Sequence, residues 1–550
     1  MWGGVIVLRR KIAYVNLSDG SYEIKKIPVE WRKDFLGGRG INMHVLSRSY
    51  ASIPDPFSPE NPLIFGAGLL SGLPGFGSRM NITARSPESG HLGDSNMGGE
   101  FGAELIKTGL SHLVITGKSK KPVYLFIKDG RIEFCDARKL KGLDTIATQK
   151  RIRAQRGDLK VQVACIGPAG EALVRFSAIR SGMKSAAGRT GMGAVMGSKN
   201  LKAVAVRGSL DIGISKPDEY RKYYLRTLNG LMKTKWVQAL GKQGTPVLFR
   251  YSNALGFLSV RNNQQVTIGD KGPLLEAEAL EPYSTGMIAC FGCPVHCRHR
   301  ISMEKGKYKG TRGEGPEYAS IGSLGTKLGH LDLENIIYGA HLCNLYGLDT
   351  ISTGSYMAWA MELYQRGIID ERMTKIPLKW GDGKTIVELL DQMEMGSIHA
   401  AWLPPITYLW AHQRGFAQVG LLSNHFGAYY YGSQFLVNIS SGFTLFYDPI
   451  ADRNTSDAQT ALTQFSGKRP CYVEPTSASG YILPESILLT YGIETLDPAW
   501  IQTHTGVVRA LYIRDVCDFG VTFAISGDPR TASSIQLDLP DTMNRIVVAW

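Results

Sequence analysis

A chain of 550 residues is longer than one hydrophobic core usually organises, so two to four domains are expected, with room to bury a large prosthetic group. An apolar fraction of 43% against 20% charged residues excludes a disordered chain, and 63 glycines point to many tight turns and close backbone approaches. The net charge of +14 is scattered rather than gathered into a basic run. That pattern argues against nucleic-acid binding and for an acidic protein partner or the phosphates of a bound cofactor.

In chain order, Val5-Ile6-Val7-Leu8 is too short for a signal core, and a polar segment follows Arg9-Arg10 where a twin-arginine leader would be apolar. No run approaches the ~20 apolar residues of a membrane span, so no membrane partner is expected and the cytoplasm is the expected location. Ala13 to Leu17, Asp19-Gly20 and Tyr22 to Ile24 read as a hairpin, and Val123 to Ile127, Asp129-Gly130 and Ile132 to Phe134 repeat it. Strand-like Pro62–Leu70 and Val161–Ile166 run into glycine-rich loops. Residues 1–210 are therefore expected to be a β-rich domain dominated by antiparallel sheet, in an α+β fold. Helical periodicity follows in Asp218–Leu240, Leu333–Tyr346 and Tyr356–Arg366, which predicts a helical domain over 211–395. Beyond Met395 the composition shifts, with Lys468 the only lysine after Lys384; residues 396–550 are taken as the rest of the helical part.

Of eight cysteines, Cys290, Cys293 and Cys297 form a C-x2-C-x3-C loop, which lets three thiolates converge on a small metal centre. An iron-sulfur cluster normally takes four thiolates, so a distant fourth is implied; zinc with His296 or His299 is the alternative. Two glycine-rich segments, Gly75 to Asn81 continuing to Gly99, and Ala186 to Gly193 around Gly188 and Arg189, can present backbone N–H groups and arginines to anions. Taken singly, each signal is weak, and sharp structural turns are the more common explanation of either segment. Glu314 and Glu317 flank a Gly-Pro turn and are candidate proton-transfer groups, and Gly347 precedes Asp349 at a helix end.

Taken together, Asn61 to Gly68, Gly98 to Leu105, Ala186 to Arg189 with Gly193 to Lys202, the cysteine loop, Glu314 to Tyr318 and Gly347 to Ser352 resemble the aldehyde:ferredoxin oxidoreductase family of tungsten enzymes, densely over about 12–395. The resemblance implies a β-sheet, pterin-binding first domain followed by mainly helical domains. It implies a tungsten- or molybdenum-bis-pterin whose dithiolenes ligate the metal, and a 4Fe-4S cluster on Cys290, Cys293 and Cys297. Arg79 resembles the arginine between pterin and cluster. Asn96 and Ala186 resemble the carbonyl ligands of a magnesium bridging the pterin phosphates. Gly98, Gly188, Arg189 and Asp349, with Asn344 and Gly347, fall on pterin contacts. The implied reaction oxidises an aldehyde with water to a carboxylate, electrons leaving through the cluster to ferredoxin or a similar acidic carrier. The family is often oligomeric, so a homo-oligomer is admitted.

The sequence departs from the family pattern at named positions. Ser185 stands for a pterin-contacting arginine, Asn344 for a pterin-binding aspartate, and Ala319 for a glutamate near tungsten, leaving Glu317 and Glu314 as the catalytic candidates. The family's fourth cysteine falls on Thr522, so the nearest thiol, Cys517, is assigned as fourth ligand. Two other readings stand beside the aldehyde enzyme: a relative using the same cofactors for another low-potential reaction, and a catalytically silent cofactor-binding relative.

Overall fold

The computed structural model describes residues 5–6, 10–75, 77–394, 432–448, 451, 453–473, 477–501, 504–513, 516–524 and 545–550, and the chain separates into two units, 1–401 and 402–550. In the first unit, β1 (Lys11–Asn16), β2 (Ser21–Lys26), β3 (Leu63–Ala67), β4 (Met80–Arg85), β5 (Leu92–Met97) and β6 (Leu110–Thr116) form one sheet in the order β2-β1-β6-β3-β4-β5. A second sheet takes β7 (Val123–Lys128), β8 (Arg131–Asp136), β9 (Gln162–Cys165), β10 (Ile179–Ser181), β11 (Ser185–Ala187) and β12 (Leu201–Arg207) in the order β11-β10-β9-β12-β7-β8. Each sheet has one parallel pair, β1/β6 and β7/β12, among otherwise antiparallel neighbours.

Strand alternation assigns each face. Ala13 and Val15 of β1 point into a core shared by both sheets, while Ile12 and Tyr14 pack under the helix Gly38–Ser47. Val123, Leu125 and Ile127 of β7 face the same shared core, completed by Phe101 and Leu105 of α1 (Phe101–Lys107) and Val195 and Met196 of α2 (Met192–Ser198). Asp129 and Gly130 both take positive φ, 47° and 82°, the two-residue turn whose twist suits the β7–β8 hairpin.

The helical half holds α3 (Pro217–Met232), α4 (Lys235–Gln243), α5 (Tyr318–Leu324), α6 (Leu333–Tyr346), α7 (Thr350–Gln365) and α8 (Gly383–Glu394). The predicted continuous helix over 218–240 is broken at Lys233 and Thr234. Its core is built from Ile336 and Ile337 of α6, Met357 and Met361 of α7, and Leu389 and Leu390 of α8, and Val174 and Phe176 of the preceding domain join it. Between the two halves lies a three-stranded antiparallel sheet of β13 (Ser284–Ile288), β14 (Arg298–Ser302) and β15 (Arg312–Glu314); the cysteine loop is its first connection.

The second unit corrects the expectation that 396–550 continues the helical part. It carries a five-stranded mixed sheet of β16 (Gly432–Asn438), β17 (Pro470–Tyr472), β18 (Ala499–Trp500), β19 (Phe519–Ala524) and β20 (Ile546–Val548), ordered β18-β17-β19-β16-β20. One face packs on Val507, Val508 and Leu511 of the helix His504–Ile513, the other on Leu462, Phe465 and Leu488. Its strands are short, and both faces are covered, so their apolar runs show no clean alternation that a sequence reading could catch.

Candidate functional site

The end strands of the two large sheets, β5 and β11, lie against each other. Asn96 and Ala186, the residues expected to present magnesium-binding carbonyls, lie on these two contacting strands, β5 and β11. Ser95 beside Asn96 donates from Oγ to the carbonyl of Gly188 at 2.9 Å and reaches the Arg189 carbonyl at 3.1 Å. The two glycine-rich segments, far apart in sequence, form one rim.

The cysteine loop closes this rim from the helical side. Phe291 N–H donates to the Gly99 carbonyl at 3.2 Å, and Gly75 N–H to the Gly292 carbonyl at 2.8 Å. A Cβ built on Gly98 would lie 3.0 Å from Cys290 Sγ and 3.9 Å from Arg79 Cζ, so the glycine is what lets the thiol and the guanidinium approach. Arg79 is exposed and makes no side-chain hydrogen bond or ion pair among the described residues. Cys290, Cys293 and Cys297 are all free and half-buried, with Cys293 N–H donating to the Cys290 carbonyl at 3.1 Å. Among the described residues no three His, Cys, Asp or Glu side chains converge to metal-binding distance, the loop thiols included.

Cys517 is not a fourth thiolate. It lies in the second unit, disulfide-bonded to Cys471, and a sulfur shared in a disulfide has no thiolate pair to give a metal. Cys165 and Cys343 are buried, which pushes both thiols up to about 12 and leaves them poor ligands. The three loop thiols are the right residue type and spacing for three cluster ligands, though their sulfurs do not converge here; Cys135 on β8, the remaining free thiol, is engaged by Arg156.

At the second glycine-rich segment, Gly188 has no room for a side chain, since a Cβ would sit 2.5 Å from Asp349 Oδ1. Asp349 caps α7 by accepting from Ser352 N–H at 2.8 Å, and its other neighbour is Arg189, 3.8 Å away. Gly347 ends α6 at φ 76° and its carbonyl accepts Ala178 N–H at 2.7 Å, which fastens the helical half to β10. Asn344 is buried, and its carbonyl accepts Thr145 Oγ1 at 2.7 Å. Gly98 and Gly188 thus let Cys290 and Asp349 close on the backbone near Arg79 and Arg189, and these two arginines with the glycine-rich backbone are donors of the kind that fit a phosphate-bearing pterin.

The two candidate carboxylates differ. Glu314 is held 2.9 Å from Arg298 Nη1, which also reaches Ser185 Oγ at 3.2 Å, while Nη2 donates to the Ala289 carbonyl at 2.9 Å, so the pair braces the cysteine loop. Glu317 accepts from Lys184 Nζ and from Thr245 Oγ1. Burial, then the neighbouring Arg298, pull the Lys184 ammonium below its usual range. Ala319 sits exposed on α5. Lys184, Arg298 and Thr245 were not among the sequence candidates; Arg298 directly after Cys297 and Lys184 two residues before the Ala186 segment were the available signals. Lys199 and Lys202 of that motif are structural instead, donating to the Pro59 carbonyl at 3.0 Å and the Leu143 carbonyl at 2.8 Å.

Residues 12–208 match the family model described as aldehyde ferredoxin oxidoreductase, N-terminal domain, and 223–400 the model for its domains 2 and 3. Residues 371–538 match a model of the periplasmic phosphonate substrate-binding protein of ABC transporters. The tungsten-containing aldehyde ferredoxin oxidoreductase of Pyrococcus furiosus is 40% identical over 68% of this chain and 62% of its own length. The WOR-like subunit of the aliphatic sulfonate oxidoreductase of the same organism is 32% identical over 70% of this chain and 62% of its own length. The BamBC active-site complex of benzoyl coenzyme A reductase superposes with a TM-score of 0.61 at 29% identity, over 71% of this chain and 60% of that one. The chain thus spans about 62% of the length of the curated relatives it matches. Through residues 12–400, the chain belongs to the aldehyde ferredoxin oxidoreductase family, an oxidoreductase family.

Proposed function

We propose that residues 12–400 bind a tungsten- or molybdenum-bis-pterin, oxidise a small aldehyde to its carboxylate, and pass the electrons through a 4Fe-4S cluster on the cysteine loop to a ferredoxin. The observation that carries this reading is the meeting of Arg79 and Cys290 at Gly98, which joins the pterin rim to the cluster loop. When bound, the metal-pterin supplies two-electron oxidation of the carbonyl carbon with oxygen drawn from water. The chain's own residues do the rest. Arg189 with Gly98, Gly188, Asn344, Gly347 and Asp349 would hold the pterin, Arg79 would sit between pterin and cluster, and the carbonyls of Asn96 and Ala186 would hold the magnesium. Glu317, held by Lys184 and Thr245, accepts the proton released when water adds to the carbonyl, and Glu314 keeps Arg298 in place. Tungsten or molybdenum with iron is expected in anaerobically purified protein; absence of both metals on elemental analysis sinks the reading.

Ala319 favours a second reading, a relative that uses the same cofactors for another low-potential reaction, as the names of the sulfonate and benzoyl coenzyme A relatives illustrate. Dye-linked turnover on an aldehyde panel supports the first reading; metals present without turnover on any aldehyde support the second or a silent relative. For the second unit, the match over 371–538 supports recognition of a small phosphonate-like oxyanion, tested by calorimetric titration with methylphosphonate. No helix among the described residues is long and apolar enough to cross a membrane. The free thiols of Cys290, Cys293 and Cys297 support a cytoplasmic location, and the Cys471–Cys517 disulfide stands against it.

A further inference from the structure

We propose that the outer face of α3 and α4 is the docking surface for an acidic iron-sulfur electron-carrier protein, a step that rests on the electron-transfer reading above and deepens it. Helix α3 has sixteen residues, none of them buried. A surface helix normally sets an apolar stripe into the core; this one turns it partly outward. Tyr223 is 53% exposed and Trp236 43%, with Leu225, Leu231 and Met232 exposed beside them. Tyr223 lies on the same side of α3 as Lys222 and Arg226, and an exposed aromatic side chain among cations is the kind of residue that anchors a protein interface.

The face is also basic. From Lys216 to Lys242 the chain carries seven Lys or Arg residues against Asp218 and Glu219, and Glu219 is taken up by Lys216 at 3.0 Å. Arg226 lies 5.4 Å from the Tyr223 ring centre, which places cation and aromatic on one spot. Arg221, Lys222 and Arg226 have no ion-pair partner among the described residues. Such a field steers and orients an acidic protein.

Position selects the partner class. Tyr220 Oη donates to the Pro74 carbonyl at 2.6 Å, and the Tyr224 ring packs over Gly75, whose N–H donates to the Gly292 carbonyl at 2.8 Å within the cysteine loop. The helix is thus two contacts from Cys290 and Cys293. The loop itself reaches the surface at Gly292 and His296, and Lys107 adds a cation 5.4 Å over Phe291. A basic helix tied through Pro74 and Gly75 to a cysteine loop that itself reaches the surface serves a carrier that must come close to that loop. With a cluster held on the loop, each encounter would pass one electron from it to the carrier's cluster, oxidising the first and reducing the second, with no atom transferred.

The test is binding of an oxidised acidic 4Fe-4S ferredoxin to the full chain, measured by calorimetry at low and at about 0.5 M salt. Salt-sensitive binding that weakens about tenfold in the triple variant Arg221→Glu, Lys222→Glu, Arg226→Glu, and also in Tyr223→Ala, supports the surface. No binding by the unaltered protein, a variant affinity within about twofold of it, or equal binding of RNA or anionic vesicles overturns it. Dye-linked aldehyde turnover, read in parallel, separates the two readings. If turnover is absent while salt-sensitive, variant-sensitive ferredoxin binding persists, the aldehyde reaction falls and the docking surface stands. If turnover is present while charge reversal leaves ferredoxin binding unmoved, the surface falls and the reaction stands.

Discussion

Cys290 Sγ and Gly98 are packed so closely that a methyl group on the glycine would meet the sulfur at 3.0 Å. The contact joins the cysteine loop to the strand-end loop that follows β5, and neither partner can move without the other. Replacing Gly98 with Ala is expected to push Cys290 outward, lower the iron content by about half, and change the EPR signal of the reduced protein, while circular dichroism stays unaltered. Full iron content with an unchanged spectrum would remove Gly98 from the cluster environment.

Glu317 is expected to act through its charge. Glu317→Gln keeps the shape that Lys184 and Thr245 enclose but loses basicity, so kcat on an aldehyde should fall about 100-fold with metal content and thermal midpoint unchanged. A loss confined to KM would make it a substrate-positioning group instead.

Asp349 has two separable duties. Asp349→Ala should cost about 1 kcal/mol through loss of the α7 cap and also weaken retention of the pterin beside Gly188 and Arg189. Asp349→Ser restores the cap but no charge, so it should recover the midpoint and not the tungsten content. Recovery of both would leave Asp349 a cap alone.

Cys517→Ser should leave iron unchanged and destabilise only the second unit, by up to about 4 kcal/mol for a loop of 46 residues. Iron lost in step with the substitution would reinstate Cys517 as a cluster ligand.

Lys199 supplies the pH dependence. It is fully buried, and burial holds its ammonium down at about 7 against an ordinary 10.5. Below about pH 7 both folded and unfolded chains carry the proton and the burial penalty is fully present. Between about 7 and 10.5 the unfolded chain binds more protons than the folded one, so this group's contribution to stability rises with pH. Relative to Lys199→Met, the unaltered protein should gain in denaturant midpoint between about pH 7 and 9, and parallel behaviour of the two proteins would contradict the shift.

Short-range features were readable because they depend on neighbours in sequence. The hairpin at Asp129-Gly130 needs two residues that tolerate positive φ, and the sequence offers them at the spacing of a two-residue turn. The helix Leu333–Tyr346 was legible from its period and from Gly347 after it; the structure adds Asp332 as its N-cap. The break between α3 and α4 was not, since Lys233 and Thr234 carry no strong stop signal.

By itself, the sequence determined the three-thiol loop, the glycine-rich segments and the family to which residues 12–400 belong, because residue identity and spacing along one chain are what those features consist of. Only the tertiary structure decided which distant residues meet. Arg79 with Cys290, Glu317 with Lys184, and Cys517 with Cys471 are separated by 46 or more residues, and their pairing is set by how sheets and helices bury their faces. The last of these pairs also decided against the sequence reading, since Cys517 close to the expected ligand position was a thiol by count and a disulfide by packing.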